Sequence, residues 1–184
     1  MRVISGKARG TKLECPTGDN VRPTTDRIKE SLFNIINMDI IDTNVLDLFC
    51  GTGALGIESL SRGANRCVFV DRDKKSIEMT KRNILKTKLM DYSIIENIDV
   101  KTAISKYSSE QFDYIFLDPP YNKDFCMEVL RLINDNEILN EDGIIVIEHD
   151  PKEVLDEVLG HLIRFKEKKY NKTTMISFYK LEEK

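Results

Sequence analysis

A chain of 184 residues, 41% hydrophobic and 32% charged, is long enough to form one domain with a substantial core. No apolar run approaches the roughly 20 residues of a transmembrane helix. The opening Met1-Arg2-Val3-Ile4-Ser5-Gly6-Lys7 lacks the apolar stretch of a signal peptide, so a cytoplasmic protein without membrane attachment is expected. Four scattered cysteines with no CxxC pair, and two histidines, argue against a disulfide framework or a metal site. The net charge of −3 is unevenly spread: residues 1–29 carry a balance of +4, residues 161–180 one of +5, and residues 30–160 one of −11. Two solvated ends account for this, and so do two basic ends that meet in the fold and grip a polyanion.

In chain order, the first fifteen residues alternate loosely around Gly6 and Gly10 and predict a small β-hairpin with Lys7 and Arg9 at its tip. After Arg22-Pro23-Thr24 a helix is expected, with Thr24 or Thr25 as N-cap, Asp26 in its first turn, and Ile28, Leu32, Ile35 and Ile36 on its apolar face. From residue 45 the rhythm changes. Short apolar runs at Val45–Phe49, Cys67–Val70, Ser93–Glu96, Tyr114–Leu117 and Ile144–Glu148 alternate with helical patterns near 54–62, 73–89, 100–107, 125–134 and 152–159. His161–Lys169 and Thr173–Lys180 flank a turn at Tyr170-Asn171-Lys172 and read as a closing hairpin. Five strand–helix units and a hairpin predict an α/β fold whose parallel sheet takes up one antiparallel strand.

The first sheet strand runs into Asp47-Leu48-Phe49-Cys50-Gly51-Thr52-Gly53-Ala54-Leu55-Gly56. Gly51, Gly53 and Gly56 make a GxGxxG turn between strand and helix, and Asp71 follows 20 residues after Gly51 at the next strand tip. Glycines let a ligand approach the backbone, and an acid at that distance binds a ribose diol. A dinucleotide and S-adenosylmethionine both fit such a loop. Asp47 favours the second, because an acid before the glycines suits a cationic amino-acid group and is awkward beside a pyrophosphate. Asp99, after the third strand, can accept from an adenine amino group, although Asp is equally a preferred helix N-cap.

The fourth strand ends in Ile115-Phe116-Leu117-Asp118-Pro119-Pro120-Tyr121-Asn122. Proline cannot donate to a sheet ladder, so the strand must end at Asp118 on the same edge as the other acids. An exocyclic amine on a nucleobase is a poor nucleophile because its lone pair is delocalised into the ring. Two acceptors, the Asp118 carboxylate and the Pro119 carbonyl, would take its two hydrogens and aim the lone pair at a methyl donor. Pro120 braces this arrangement, and Tyr121 offers a surface on which an extruded base stacks. His149, after the fifth strand, reads as structural, and nothing near Cys50 signals an activated thiolate.

Together the glycine loop and the Asp118-Pro119-Pro120-Tyr121 tetrad resemble methyltransferases that act on exocyclic amines. The chain is similar more specifically to the RsmD family, bacterial methyltransferases of guanine N2 in small-subunit ribosomal RNA. That resemblance rests on Ile4-Ser5-Gly6-Lys7-Ala8-Arg9-Gly10-Thr11-Lys12-Leu13, on Arg22-Pro23-Thr24-Thr25-Asp26-Arg27 leading to Glu30 and Leu32-Phe33-Asn34, and on Gly56-Ile57-Glu58-Ser59-Leu60-Ser61-Arg62-Gly63-Ala64. It implies one domain over 1–184: a Rossmann-like core at 41–184, with a seven-stranded, mostly parallel sheet of which one strand is antiparallel, and an RNA-binding hairpin and helix at 1–40. It implies S-adenosylmethionine as cofactor, held by Asp47, Phe49, Gly51, Gly53, Asp71 and Asp99, with Asp118, Pro119, Pro120 and Tyr121 catalytic. Tyr121 stands where the family often carries Phe; either ring stacks. Arg2, Lys7, Arg9, Lys12, Arg22, Thr24 and Arg27 would face 16S ribosomal RNA in an assembling 30S particle, with no obligate protein partner. The tetrad alone does not separate guanine from a DNA amine or a protein glutamine. A non-catalytic RNA-binding assembly factor and a nicotinamide-dependent oxidoreductase are the alternatives of other classes.

Overall fold

The computed structural model describes residues 1–16, 26–36, 40–119 and 125–182. Its elements, in chain order, are α1 (Asp26–Ile35), β1 (Asn44–Leu48), α2 (Ala54–Arg62), β2 (Arg66–Val70), α3 (Lys74–Thr87), β3 (Ser93–Glu96), α4 (Val100–Lys106), β4 (Phe112–Leu117), α5 (Phe125–Asp135), β5 (Leu139–His149), β6 (Val158–Leu159), β7 (Leu162–Lys169) and β8 (Met175–Leu181). The strands form one sheet in the order β3-β2-β1-β4-β5-β8-β7-β6. β1 to β5 are parallel, and β8 is the expected antiparallel strand, inserted between β5 and β7. The two returns from β1, to β2 and to β4, leave a crevice at the carboxyl edge of the central strands, where open α/β sheets bind ligands.

Both faces of the sheet are covered, which is why its strands read as continuous apolar runs. Val45 and Phe116 pack with Ile28, Leu32 and Phe33 of α1 and Ile57 and Leu60 of α2 on one face. Leu46, Leu48, Ile115 and Leu117 pack with α4 and α5 on the other. Within the buried part of β1, Asp47 breaks the apolar pattern, on the α2 face among these neighbours. α2 lies hard against β2 because Gly56 has no side chain: a Cβ there would stand 2.3 Å from a ring carbon of Phe69.

The expected helix over 152–159 is absent. In its place a short turn leads to the two-residue strand β6, an eighth strand that pairs with Leu162 and Ile163 at the start of β7. The apolar spacing there imitates a helix, but tertiary partners take the carbonyls a helix would use. Arg164 donates to the Leu155 carbonyl at 3.0 Å, Tyr179 to that of Asp156 at 2.6 Å, and the Arg164 amide to that of Glu157 at 2.8 Å. Only Leu155 of the four apolar residues is buried; Val154 is 87% exposed.

The N-terminal segment forms its hairpin. Arg2 and Lys12 bridge antiparallel, the Val3 amide donates to Thr11, and the Gly10 amide to Val3. It is fastened to α2 by Glu58 and by Ser61, whose hydroxyl accepts from the Ala8 amide and donates to the Ser5 carbonyl. Glu58, fully buried, accepts from the amides of Ile4 (2.8 Å) and Ser5 (3.0 Å), from Arg62 Nε (2.9 Å), and pairs with Lys29 Nζ of α1 at 3.1 Å. Lys29 is equally buried and donates to the Arg2 carbonyl at 2.6 Å. Desolvation lowers its pKa, and Glu58 opposes that shift. Gly6 permits the close approach: its φ is 80° and a Cβ would fall 1.7 Å from the Ser61 carbonyl oxygen.

Candidate active site

The glycine turn is built on left-handed backbone. Phe49, Gly51 and Gly53 have φ of 62°, 56° and 76°, and Phe49 is one of the few non-glycine residues held there. The turn is braced from α3, where Thr80 Oγ1 donates to the Gly51 carbonyl and Asn83 Nδ2 to that of Thr52, both at 2.9 Å. Asn83 also exchanges hydrogen bonds with the backbone of Glu14, so one buried side chain touches both the glycine turn and the N-terminal segment. Cys50 is buried inside the turn, with its thiol held protonated by desolvation and then by the neighbouring Asp47.

Three acids stand in order along this edge. Asp47 lies beneath the turn, where its Oδ2 accepts from the Gly56 amide at 2.9 Å. Burial, with Asp71 adding to it, pushes its carboxyl up to about 7. Asp71, just past β2, is oriented by the Gly51 amide on Oδ2 (3.0 Å) and the Asp73 amide on Oδ1 (2.8 Å), which leaves each oxygen a further lone pair. Asp99 is the N-cap of α4, accepting from the amides of Lys101 and Thr102 and from the Thr102 hydroxyl. Asp71 and Asp99 line the rim of a cavity of about 200 Å³ whose walls include Phe49, Val70, Ile98, Val100 and Phe125. The rings of Phe49 and Phe125 meet edge to face at 5.5 Å. An apolar slot of that size holds an aromatic ring, and an oriented carboxylate at its rim suits a diol, so these residues fit the adenosine of S-adenosylmethionine. Asp47 is outside the lining of this cavity, on the side of the glycine turn.

Asp118 follows β4, and since Leu117 pairs with Ile147 it stands level with Glu148 on β5. Desolvation, and then the Glu148 and Asp47 carboxylates, push the Asp118 carboxyl well above the usual range. The residue keeps an exposed face, so repulsion between the acids is the cause that survives contact with water. Pro119 is buried behind it. Pro120, Tyr121, Arg22 and Thr24 lie outside the described residues, as does the expected N-cap at Thr24 or Thr25. His149 is buried, with Nε2 2.9 Å from Ser177 Oγ and Nδ1 3.1 Å from the Asp150 carbonyl. Its pKa is lowered by desolvation, and the ring is a structural tie.

Of the basic residues expected to face RNA, Lys7, Arg9, Lys12 and Arg27 are exposed, and Lys7 lies over the Tyr92 ring, 5.6 Å from its centroid. Arg2 is exposed but paired with Asp26 at 3.3 Å. Sequence reasoning missed Glu148, the cavity walls beyond Phe49, and the Thr80–Asn83 brace. The last was signalled by the polar character of the buried face of α3, where Thr80, Asn83 and Thr87 accompany Ile84.

Residues 1–180 match the family model described as conserved hypothetical protein 95. "Putative rRNA methyltransferase YlbH" of Bacillus subtilis (strain 168) is 41% identical over 182 residues, 98% of each chain. "Ribosomal RNA small subunit methyltransferase D" of Escherichia coli (strain K12) is 31% identical over 168 residues, 91% of this chain and 84% of that one. Among solved structures, "Putative methyltransferase yhhF from Escherichia coli" superimposes with a TM-score of 0.87 at 30% identity, covering 99% of this chain and 98% of the other.

Proposed function

The chain belongs to the conserved hypothetical protein 95 family, and we propose that it is an S-adenosylmethionine-dependent methyltransferase of guanine N2 in small-subunit ribosomal RNA. The observation that carries this reading is the shared edge: an adenosine-sized slot with two rim acids and the Asp118-Pro119 step open from adjoining strand ends of one sheet. The relatives named for ribosomal RNA methylation support the substrate class. The tetrad supports an amine acceptor, and guanine N2 is what the resemblance to the RsmD family, carried by the N-terminal motifs, implies.

When bound, the cofactor supplies an electrophilic methyl group. The protein's own part is placement. Phe49, Val70, Ile98, Val100 and Phe125 enclose the adenine, Asp71 takes the ribose diol, and Asp99 lies within the adenine end of the slot. Asp47, beneath the glycine turn, faces the amino-acid end, where a cationic ammonium would pull its raised pKa back down. Asp118 and the Pro119 carbonyl accept from the two amine hydrogens, which turns the nitrogen lone pair toward the methyl carbon. Desolvation, and then the Glu148 and Asp47 carboxylates, raise the affinity of the Asp118 carboxylate for a proton, which suits it to receive the one released on methylation. Pro120 stiffens the step and Tyr121 stacks on the base. Residues 1–40 are the recognition extension and 41–184 the catalytic core of a single domain that works in the cytoplasm on an assembling 30S particle. The expected result for Asp118→Ala is a loss of methyl transfer of roughly 100-fold or more with S-adenosylmethionine affinity intact, measured by turnover beside calorimetric titration. Full turnover in that variant would remove the amine-steering role.

A further inference from the structure

The second basic stretch has a definite place in the fold. Asp118 is level with Glu148, Glu148 pairs with Ile176 on β8, and Ile176 pairs with Lys168 on β7. Three strand spacings of about 4.8 Å, roughly 14 Å, therefore separate the backbone at Asp118 from that at Lys168. The β7–β8 turn opens on the same edge as the glycine turn. Partners in one row project to one face of a sheet. Ile176 and Phe178, the partners of Lys168 and Lys166, belong to the core shared with α1 and α2, so both lysines project to the α1 face. Lys168 shows it directly. Its Nζ donates to Ser31 Oγ of α1 at 2.8 Å and lies 5.0 Å from the centroid of the Tyr170 ring, and the Tyr170 hydroxyl donates to the same Ser31 Oγ at 2.9 Å. The two basic ends of the chain thus meet at α1, where Arg27 is exposed.

Lys166, Lys168 and Lys172 are exposed here, while Glu167 and Lys169, at the alternate positions of β7, project to the other face. Lysines on an edge strand discourage pairing with another chain, and β6 covers β7 only at Leu162 and Ile163. Edge protection does not account for Lys172, which lies in the turn. Nor does it account for a local balance of +5 over 161–180 in a chain whose residues 30–160 carry −11. Concentrated positive charge beside an acidic site is what a polyanion requires if it is to approach that site.

We propose that Lys166, Lys168 and Lys172 form a second phosphate-binding surface, which holds the RNA backbone on the β7 side of the extruded base. The N-terminal hairpin holds it on the other. This rests on the RNA methyltransferase reading and extends it to a residue set outside the N-terminal extension.

The test replaces Lys166 and Lys172 by Ala together and spares Lys168, whose head group braces α1. The probes are a labelled 16S ribosomal RNA transcript, titrated from about 50 to about 300 mM salt, and steady-state methyl transfer to the same RNA. With about 0.7 counterion per single-strand phosphate neutralised, the slope of log K against log salt should fall by about 1.4. KM for RNA should rise roughly tenfold, with kcat and S-adenosylmethionine affinity unchanged. Lys86→Ala with Arg131→Ala, on α3 and α5 away from this edge, should leave the slope unaltered. An unchanged slope and KM in the double variant Lys166→Ala with Lys172→Ala, beside a wild type that methylates the RNA, would overturn the surface alone. More aggregation with unchanged binding would overturn it too, with the lysines serving as edge protection. A wild type that neither binds nor methylates RNA would overturn the underlying reading as well.

Discussion

Asp47 and Asp118 show how single residues set the chemistry of this edge. Asp47 has an ordinary carboxylate's pKa in the unfolded chain and one raised to about 7 in the fold by burial. A raised acid binds its proton more tightly when folded, so its contribution to stability is full below about pH 4 and is lost as the pH climbs through 7. Between about pH 5 and pH 8 the ligand-free protein should lose on the order of 2 kcal/mol from this residue alone. Asp47→Asn keeps an acceptor for the Gly56 amide and should flatten that trend, read from urea midpoints at the two pH values. A wild type equally stable at both would mean that Asp47 is ionised throughout. The sequence displayed this residue well, since an acid interrupting an apolar strand is conspicuous. Glu148 was hidden because its importance depends on which strand pairs with β4, and the chain does not state that locally.

At the scale of elements, Glu58 decides how the N-terminal segment attaches. Breaking a buried ion pair from one side leaves the other charge uncompensated, at a cost of about 3–5 kcal/mol. The two sides are unequal here. Among the described residues, Glu58→Met strands the buried Lys29 with the Arg2 carbonyl as its hydrogen-bond partner and orphans the Ile4 and Ser5 amides, whereas Lys29→Met leaves Glu58 with Arg62 and both amides. Glu58→Met should therefore be the more destabilising, by about 1–2 kcal/mol, and should expose residues 1–16 to limited proteolysis. Equal losses would show that the pair acts only through its mutual attraction. The strand–helix alternation was legible because each buried strand is a short apolar run that ends in an acid or a glycine. The Lys29–Glu58 pair was not, since its partners are 29 residues apart in sequence, and each reads alone as a solvated helix charge. The region 152–159 misled for the opposite reason: its local pattern is helical, and Arg164 and Tyr179 override it from a distant hairpin.

For the whole molecule, the question is how a chain of net charge −3 engages a polyanion. The fold sorts the charge. The basic N-terminal hairpin, α1 and the basic β7 lie along one face of the sheet, joined through Arg2–Asp26, Lys29–Glu58 and Ser31–Lys168. Lys7→Ala with Arg9→Ala should weaken RNA binding and reduce its salt slope by about 1.4, at about 0.7 for each phosphate left without its cation. An unaltered slope across a salt series would take the hairpin out of the interface. Charge segregation was visible in the sequence as two basic ends; that they share α1 was not, because it depends on β8 entering the sheet between β5 and β7. The central claim is methyl transfer to a guanine amine of small-subunit ribosomal RNA, and it is tested most directly by supplying labelled S-adenosylmethionine with 30S particles from cells lacking this gene, then mapping the labelled base. The account predicts label at N2 of one guanine in 16S RNA, absent with the Asp118→Ala protein. Label confined to DNA or protein, or none on RNA, would contradict it.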